Sequence, residues 1–350
     1  MRRPSLRHRA LAAVAAVAAC AIFASGTRAG GPLLVAGNRP VLWNRTAITG
    51  PPPLNAQTVD AQGRVLYRVD SGPLGSLTNA QAVALVDRIF GLYNDVPTAS
   101  IEFVNAGPIR NPSNGEAVDV DDRNVGRYLG NDPTFQNPII FDDDGQITGS
   151  GGVLGFFTFL QFGSGGTVVE GAVVLNGATI DAVGGTVPFA GVFTHEFGHF
   201  AGPLDHAQSN GNIATEGEGA VLPPGFTSAQ AYDVYAPFTE TLYPFLFGAP
   251  FGSRLAGLGF DNSGYFVASL DMDTRNALSA LYPEPGFSAT DPGSPNGAIG
   301  GRVLIRTSGG DIPLTGVNVV ARRISLDEIN DGFEAMKRGG VARSVITFEG

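Results

Sequence analysis

Histidine is confined to two places in this chain of 350 residues. Three of the four histidines, His195, His199 and His206, fall in the stretch THEFGHFAGPLDHAQ, and the fourth, His8, lies near the N-terminus. Imidazole is the commonest protein ligand for zinc and transfers protons near neutral pH. This concentration predicts a metal-binding or proton-transferring site between residues 195 and 206.

The first two of these histidines are four residues apart, and Glu196 lies between them. If residues 187–200 are helical, both imidazoles lie on one face and can bind one ion, and the carboxylate points to the same cleft. It could then take a proton from a metal-activated water and pass it to a leaving amine. The spacing therefore predicts peptide hydrolysis. The alternative, surface histidines on an amphipathic helix with a phenylalanine core face, leaves the confinement of histidine to this segment unexplained.

Two candidate third ligands follow the helix. Gly202 and Pro203 should end the helix, with Gly202 supplying a positive φ, and the turn then delivers Asp205 and His206. This stretch resembles the metzincin metalloproteases, whose motif is H-E-x-x-H-x-x-G-x-x-H, or ends in Asp in the snapalysin-like branch. Ungapped counting assigns the third ligand to Asp205. Ligand chemistry, and the similarity of LDHAQ to a matrixin-type ending with one inserted residue, favour His206.

A second segment resembles the methionine turn that lies beneath the metal in metzincins. The residues Thr241 to Phe245 read T-L-Y-P-F, where the family has T-M-Y-P-F. The resemblance implies that Leu242, with Tyr243 and Pro244 beside it, supports the metal site, because leucine and methionine have similar volumes. Met272 is a rival, but its segment is more typical of a helix with Ser269 or Asp271 as N-cap, which resembles the final helix of a matrixin catalytic domain.

The N-terminus has the layout of a bacterial secretion signal. Residues 1–29 begin with basic residues, continue with an Ala/Val-rich run and end in small residues, so we expect cleavage after Ala24 or Ala29. Alternatively, Cys20 becomes a lipid anchor. Because it is the only cysteine, we expect no disulfide. No segment is long and apolar enough for a convincing transmembrane span, and the predicted location is secreted, extracellular or cell-surface.

Composition restricts the partners of the chain. The formal net charge is −10 and no Lys/Arg cluster follows the leader, so nucleic acid is not an expected partner. The 49 glycines and 24 prolines favour a turn-rich α+β or β protein over a helical bundle. The expected partner is a protein or peptide substrate.

Further along the chain, the pattern predicts several units. Residues 30–60 are Pro-rich without periodicity, which indicates a flexible leader or pro-segment. The strand at 64–69, the helix at 80–93 capped by Thr78, and the strand at 99–104 follow the order of matrixin-like domains. The resemblance therefore implies an α+β, metzincin-like catalytic domain over 61–285, with a twisted mixed sheet, a zinc helix and a C-terminal helix.

Five smaller segments in and after this domain carry expectations of their own. Residues 141–147 resemble a calcium loop, although an acidic turn is the favoured interpretation and calcium remains an alternative cofactor. Residues 151–166 resemble an aromatic hairpin, and 168–175 is predicted to be the edge strand that binds substrate. Residues 286–298 form a linker, and 299–350 resemble the start of a prealbumin-like β-sandwich module.

Two functions follow from these observations. The first is a secreted zinc-dependent endopeptidase in which His195, His199 and either Asp205 or His206 bind zinc and Glu196 is the general base. The second is a non-catalytic surface adhesion or binding protein that retains a metzincin-like domain. The intact Glu196 favours the first, because a purely structural zinc site gains nothing from that carboxylate.

Overall fold

The computed structural model describes two units of the chain, Met1–Ile299 and Gly300–Gly350. The residues described in the first are 32–36, 39–130, 132–149, 152–182, 189–207, 209–215, 217, 222, 225–235, 239–244 and 269–286. In the second they are 304–307, 310–313, 323–324 and 345–346. The predicted secretion signal, which contains Cys20, lies outside the described residues. The predicted linker also lies outside them, except for Gly286.

The first unit is built on a five-stranded mixed sheet with helices packed against it. A short hairpin of β1 (Val35–Ala36) and β2 (Arg39–Pro40) precedes it. The sheet strands are β3 (Val65–Val69), β4 (Phe103–Pro108), β5 (Pro138–Asp142), β6 (Gly155–Phe162) and β7 (Val168–Asn176). Their order is β4-β3-β5-β7-β6, and all neighbours are parallel except β6 and β7. The predicted mixed sheet is therefore present.

The edge strand differs from the sequence-based expectation. Residues 168–175 were predicted to form the edge, but β7 lies between β5 and β6 and all of its residues are buried. Its near-continuous apolar run is typical of a strand that is covered on both faces. The antiparallel edge strand is instead β6, which occupies the segment predicted as an aromatic hairpin.

Six α-helices and a short 3-10 helix (Val125–Arg127) are described in the first unit. The α-helices are labelled in chain order. They are α1 (Asn79–Asn94), α2 (Gly177–Ala182), α3 (Phe189–Ala201), α4 (Ser209–Thr215), α5 (Ser228–Tyr235) and α6 (Met272–Leu281). The predicted cap of α1 is confirmed, because Thr78 and Gln81 form a reciprocal capping box. Of the two predicted caps of α6, Ser269 and Asp271, it is Asp271 that caps the helix, accepting the N–H of Thr274 at 2.9 Å.

An aromatic cluster joins α1 to α3. The ring of Phe90 on α1 stacks on Phe197 of α3 with centroids 4.2 Å apart and on Tyr67 of β3 at 4.1 Å. Phe103 and Phe200 lie at 5.3 Å and 5.5 Å from the same ring. All five side chains are buried. The position of α3 on the sheet is therefore set largely by apolar burial and aromatic packing around Phe90.

The segment 30–60, predicted to be a flexible leader, packs against this core where the structure describes it. Val41 and Trp43 are buried, and Trp43 forms a parallel bridge with Val168 at the start of β7. These residues therefore belong to the core of the first unit, and their role as a leader or pro-segment stays a prediction. A segment without periodicity can still supply single large side chains to a core, and those side chains leave no periodic signal.

The acidic segment 141–147 forms a turn. Asp142 accepts the backbone N–H groups of Ile147 at 3.1 Å and Thr148 at 2.8 Å, together with the Thr148 hydroxyl. Asp144 accepts the N–H of Gln146 at 3.1 Å. These bonds are those of an acidic turn, the interpretation that the sequence favoured.

The second unit contains an antiparallel hairpin of β8 (Leu304–Thr307) and β9 (Gly310–Pro313). Strands β10 (Arg323–Ile324) and β11 (Val345–Ile346) form a separate parallel pair. The prealbumin-like module stays a prediction. Within the part of the chain that is described, no helix has the length and apolar character needed to cross a bilayer.

Replacing Phe90 by alanine should destabilise the protein by about 3–5 kcal/mol, because it opens a cavity between α1 and α3. The matched control is Phe162→Ala, which removes a phenylalanine that is 50 % exposed and should cost less than about 1 kcal/mol. Urea denaturation of the metal-free proteins measures both values. Equal losses in the two variants would contradict the central position of Phe90.

Candidate metal centre

Helix α3 packs one side into the hydrophobic core and presents two histidines on another. Phe193, Phe197 and Phe200 are fully buried among the apolar residues of the core. The residues between them include His195 and His199, whose side chains lie together on another side of the helix. The phenylalanines therefore fix the rotation of α3, and that rotation determines where the two imidazoles point.

Three histidines form a compact group at the end of this helix. His195, His199 and His206 each offer one ring nitrogen, and these atoms all lie within 4.8 Å of one another. The Nε2 atoms of His195 and His199 are 3.2 Å apart. The ring centroid of His206 lies 5.3 Å from that of His195 and 4.7 Å from that of His199. Among the described residues, this is the group of His, Cys, Asp and Glu side chains that could hold a metal ion.

Two of the imidazoles are oriented through their other ring nitrogen. His195 Nδ1 lies 3.2 Å from the carbonyl oxygen of Thr241, and His199 Nδ1 lies 2.6 Å from that of Leu204. A carbonyl only accepts, so the hydrogen-bond network assigns the proton to Nδ1 in both rings. The Nε2 lone pairs are then directed at the shared space between the rings. This is the usual support for metal-binding histidines.

The structure brings His206, and not Asp205, into this group. The carboxylate of Asp205 turns back onto the chain, where Oδ1 accepts the backbone N–H of His206 at 2.9 Å. Motif counting along the sequence favoured Asp205, whereas ligand chemistry favoured His206. The observed turn between Gly202 and His206 agrees with the ligand chemistry.

The surroundings keep the three imidazoles neutral near pH 7. Desolvation by the protein, together with the smaller effect of the neighbouring His206, lowers the pKa of His199 to about 4, and the Leu204 carbonyl bond acts in the opposite direction. Desolvation also lowers the pKa of His206 and brings that of His195 well below its usual range. Neutral imidazole is the form that binds a metal ion.

Gly202 has a different role from the one predicted. Its φ is not in the left-handed region, so the expected positive φ is absent. A Cβ on Gly202 would instead lie 2.5 Å from Cγ of Leu204, which is closer than packed atoms approach. Glycine is therefore required because Leu204, whose carbonyl orients His199, packs against the helix end at this point.

The segment that resembles a methionine turn lies directly against helix α3. The Leu242 side chain is buried next to Gly198, where a Cβ would lie 2.5 Å from Leu242 Cδ2. The preceding residue, Thr241, supplies the carbonyl that orients His195. The backbone of this turn thus contacts one histidine, and its leucine occupies the space that Gly198 leaves open.

Tyr243 and Pro244 lie further along the same turn and have different surroundings. The Tyr243 hydroxyl is 2.9 Å from Thr215 Oγ1 and 3.2 Å from Asn212 Oδ1, so this side chain packs on helix α4. Pro244 is half-buried. Glu240, just before the turn, accepts the first N–H groups of α4, those of Asn210 and Gly211. These residues support the segment after the metal helix.

Glu196 is buried between α3 and the edge strand β6. A Cβ on Gly155 of β6 would lie 2.9 Å from Glu196 Cγ, so only glycine leaves room for this side chain. Burial raises the pKa of Glu196 to about 8, and a hydrogen bond from the backbone of Phe157 acts in the opposite direction. The Glu196 carboxyl group therefore lies at the edge of β6 that faces away from β7.

Sequence reasoning missed three residues that shape this centre. Gly198 admits Leu242, Gly155 admits Glu196, and Tyr93 of α1 donates its hydroxyl to the Thr194 carbonyl at 2.6 Å. The glycine in H-E-F-G-H was a visible signal, because glycine is unfavourable inside a helix and needs a reason there. Gly155 and Tyr93 gave no signal, since their roles depend on elements that are distant along the chain.

Comparison with protein-family models, with curated proteins and with solved structures finds no match to this chain. The assignment of the centre therefore rests on its own geometry. Three converging neutral imidazoles, two with Nδ1 hydrogen-bonded to carbonyls, fit a divalent transition ion. The donor set alone does not distinguish zinc from other ions that imidazole binds.

Replacing His206 by alanine should weaken zinc binding by more than about 100-fold, because one of three ligands is lost. Asp205→Asn is the matched variant. Its side-chain carbonyl can still accept the His206 N–H, so zinc binding should stay within about tenfold of the unchanged protein. Competition with a chromophoric chelator measures both. Loss of zinc in Asp205→Asn, with retention in His206→Ala, would reverse the assignment of the third ligand.

Proposed function

We propose that this chain is a secreted zinc-dependent endopeptidase. One observation carries the proposal: the candidate site has three histidine ligands, and two of them, His195 and His206, are half-buried and not fully enclosed. A structural zinc site usually has four protein ligands, whereas a catalytic one has three and keeps a position for water or substrate. No fourth ligand belongs to the group within the described residues.

A zinc ion bound here would polarise the scissile carbonyl and lower the pKa of a water. Without metal, burial favours the neutral form of Glu196, and the charge of a bound ion would favour the ionised form. The carboxylate would then act as the general base, accepting a proton from that water and delivering it to the leaving amine. Glu196 directly follows His195 on α3. Its burial against Gly155 holds the side chain in one place, so the carboxylate does not have to be ordered during the reaction.

Strand β6 provides a surface for an extended peptide. Asn176 donates its N–H to the Leu154 carbonyl at 2.8 Å, so the antiparallel alternation directs the backbone polar groups of Gly155, Phe157 and Phe159 away from β7. The Phe157 N–H already donates to Glu196, which leaves the Phe157 carbonyl and the groups of Gly155 and Phe159 for a peptide. A peptide that pairs with this edge runs past Glu196, which lies under Gly155. The substrate strand is therefore β6, in place of the interior strand β7.

The resemblance to metzincins supports the same function. The H-E-x-x-H pair, Gly202 and the T-L-Y-P turn all lie at the candidate centre, and Leu242 stands where the family has methionine. Methionine is not a ligand in that family, so its replacement leaves the proposed chemistry unchanged. Secretion is proposed from the leader at residues 1–29 alone. The alternative, an adhesion or binding protein, would bind the metal but would not hydrolyse peptide bonds.

Glu196→Gln should lower kcat by about 10²–10⁴-fold and leave bound zinc unchanged, because the amide keeps the shape of the side chain and cannot accept the proton. Glu102→Gln, at an exposed carboxylate on another surface, is the control and should keep full activity. Casein and a quenched-fluorescence peptide library serve as substrates, with and without a zinc chelator.

The two candidate functions give different results in this experiment. Chelator-sensitive cleavage that disappears in Glu196→Gln supports the endopeptidase. A protein that binds zinc and cleaves neither casein nor the library, with Glu196 intact, contradicts it and favours the adhesion protein.

A further inference from the structure

The N-terminal segment, residues 32–36 and 39–44, contacts the turn that follows helix α3 and leads to His206. Leu33 donates its N–H to the carbonyl of Pro203 at 2.5 Å, and Pro32 and Leu204 form an antiparallel bridge. Pro203 and Leu204 belong to the short connection between His199 and His206. The segment therefore pairs with the backbone that joins the second histidine of the triad to the third.

A second contact reaches the end of helix α3. The indole Nε1–H of Trp43 donates to the carbonyl of Phe200 at 2.7 Å, and the two rings lie 4.9 Å apart. The last carbonyls of a helix have no partner within the helix, and a buried one that stays unpaired costs free energy. Trp43 therefore caps α3 one residue after His199.

The segment is itself held firmly by the rest of the fold. The N–H of Trp43 donates to the Tyr282 hydroxyl at 3.0 Å, next to the end of α6. Asn44 donates to the Val168 carbonyl at 2.8 Å, and Val168 donates to Leu42 at 2.8 Å, which joins the segment to β7. Trp43 is 3 % exposed. Val41 donates its N–H to the Leu34 carbonyl at 2.9 Å, and the Leu33 side chain packs against the core, so both ends of the segment are tied to the first unit.

These contacts have a direct route to the ligands. The Leu204 carbonyl orients His199 through Nδ1, and Leu204 is the residue that pairs with Pro32. His206 follows two residues later in the same turn. A backbone shift at residues 203–204 would move the carbonyl that orients one ligand and the turn that carries another. Groups that orient metal ligands commonly change metal affinity by 10–100-fold when they are altered.

We propose that the N-terminal segment is a positioning element of the metal centre, in which the Leu33 N–H and the Trp43 indole N–H hold the turn from Phe200 to His206 in its ligand-binding geometry. The inference rests on metal binding by the triad in the proposed function, and it does not require peptidase activity. It also implies that this segment remains with the mature domain and is not removed as a pro-segment.

Two variants remove the two donors. Leu33→Pro deletes the N–H at residue 33, and Trp43→Phe keeps an aromatic ring but has no indole N–H. Each should weaken zinc binding by about tenfold and change the visible absorption spectrum of the Co²⁺-loaded protein, which reports ligand geometry. Thermal unfolding of the metal-free proteins is measured alongside, so that loss of stability is separated from loss of affinity.

Two controls match these variants. Leu33→Ala trims the side chain and keeps the N–H, and Val35→Pro adds a proline at an exposed position opposite Pro40 in the β1–β2 hairpin. Both should bind zinc within about twofold of the unchanged protein and keep its Co²⁺ spectrum. If Leu33→Pro does not fold, Trp43→Phe alone decides the result.

The outcomes distinguish the proposals. Zinc affinity and a Co²⁺ spectrum unchanged in Trp43→Phe and in folded Leu33→Pro, even with lower thermal stability, would overturn the positioning role while leaving the metal centre intact. An unmodified protein that takes up no zinc would overturn both. Weakened binding in the donor variants, with unchanged binding in the controls, is the expected result.

Discussion

The arrangement depends on two neutral imidazoles whose Nε2 atoms are 3.2 Å apart. Because both Nδ1 atoms face carbonyl oxygens, the lone pairs of His195 and His199 point toward each other, and His206 completes the group. Facing acceptors repel unless a proton or a cation lies between them. The protein holds them there through the helix, the turn after it and two backbone carbonyls. A divalent ion offsets this repulsion, which is why we interpret the group as a metal centre.

The rest of the fold keeps this unfavourable arrangement in place. Aromatic packing around Phe90 sets the rotation of α3, and Leu242 fills the space that Gly198 leaves open. Gly202 lets Leu204 pack close enough for its carbonyl to reach His199. The contacts of α3 with Phe90 and Leu242 join elements that are far apart in the chain, whereas those of Leu204 are local. The geometry of the ligands is thus a property of the whole first unit and not of α3 alone.

Part of this could be predicted from the sequence. Local signals gave the helix with the H-E-x-x-H spacing and the cap at Thr78, and they narrowed the cap of α6 to Ser269 or Asp271, because spacing and capping act within a few residues. The T-L-Y-P turn came from the resemblance to a known family. The third ligand could not be decided, because Asp205 and His206 are adjacent and the choice depends on which one turns toward the helix. The unbroken apolar run of β7 indicated a strand in the interior of the sheet. We predicted an edge strand instead, because of the resemblance to known proteases.

The most direct measurement is zinc K-edge X-ray absorption on the protein loaded with one equivalent of zinc at neutral pH. The account predicts three imidazole nitrogens at about 2.0–2.1 Å, with one further light-atom ligand completing a four-coordinate site. A spectrum without bound imidazole, or a protein that does not retain the ion, would contradict it.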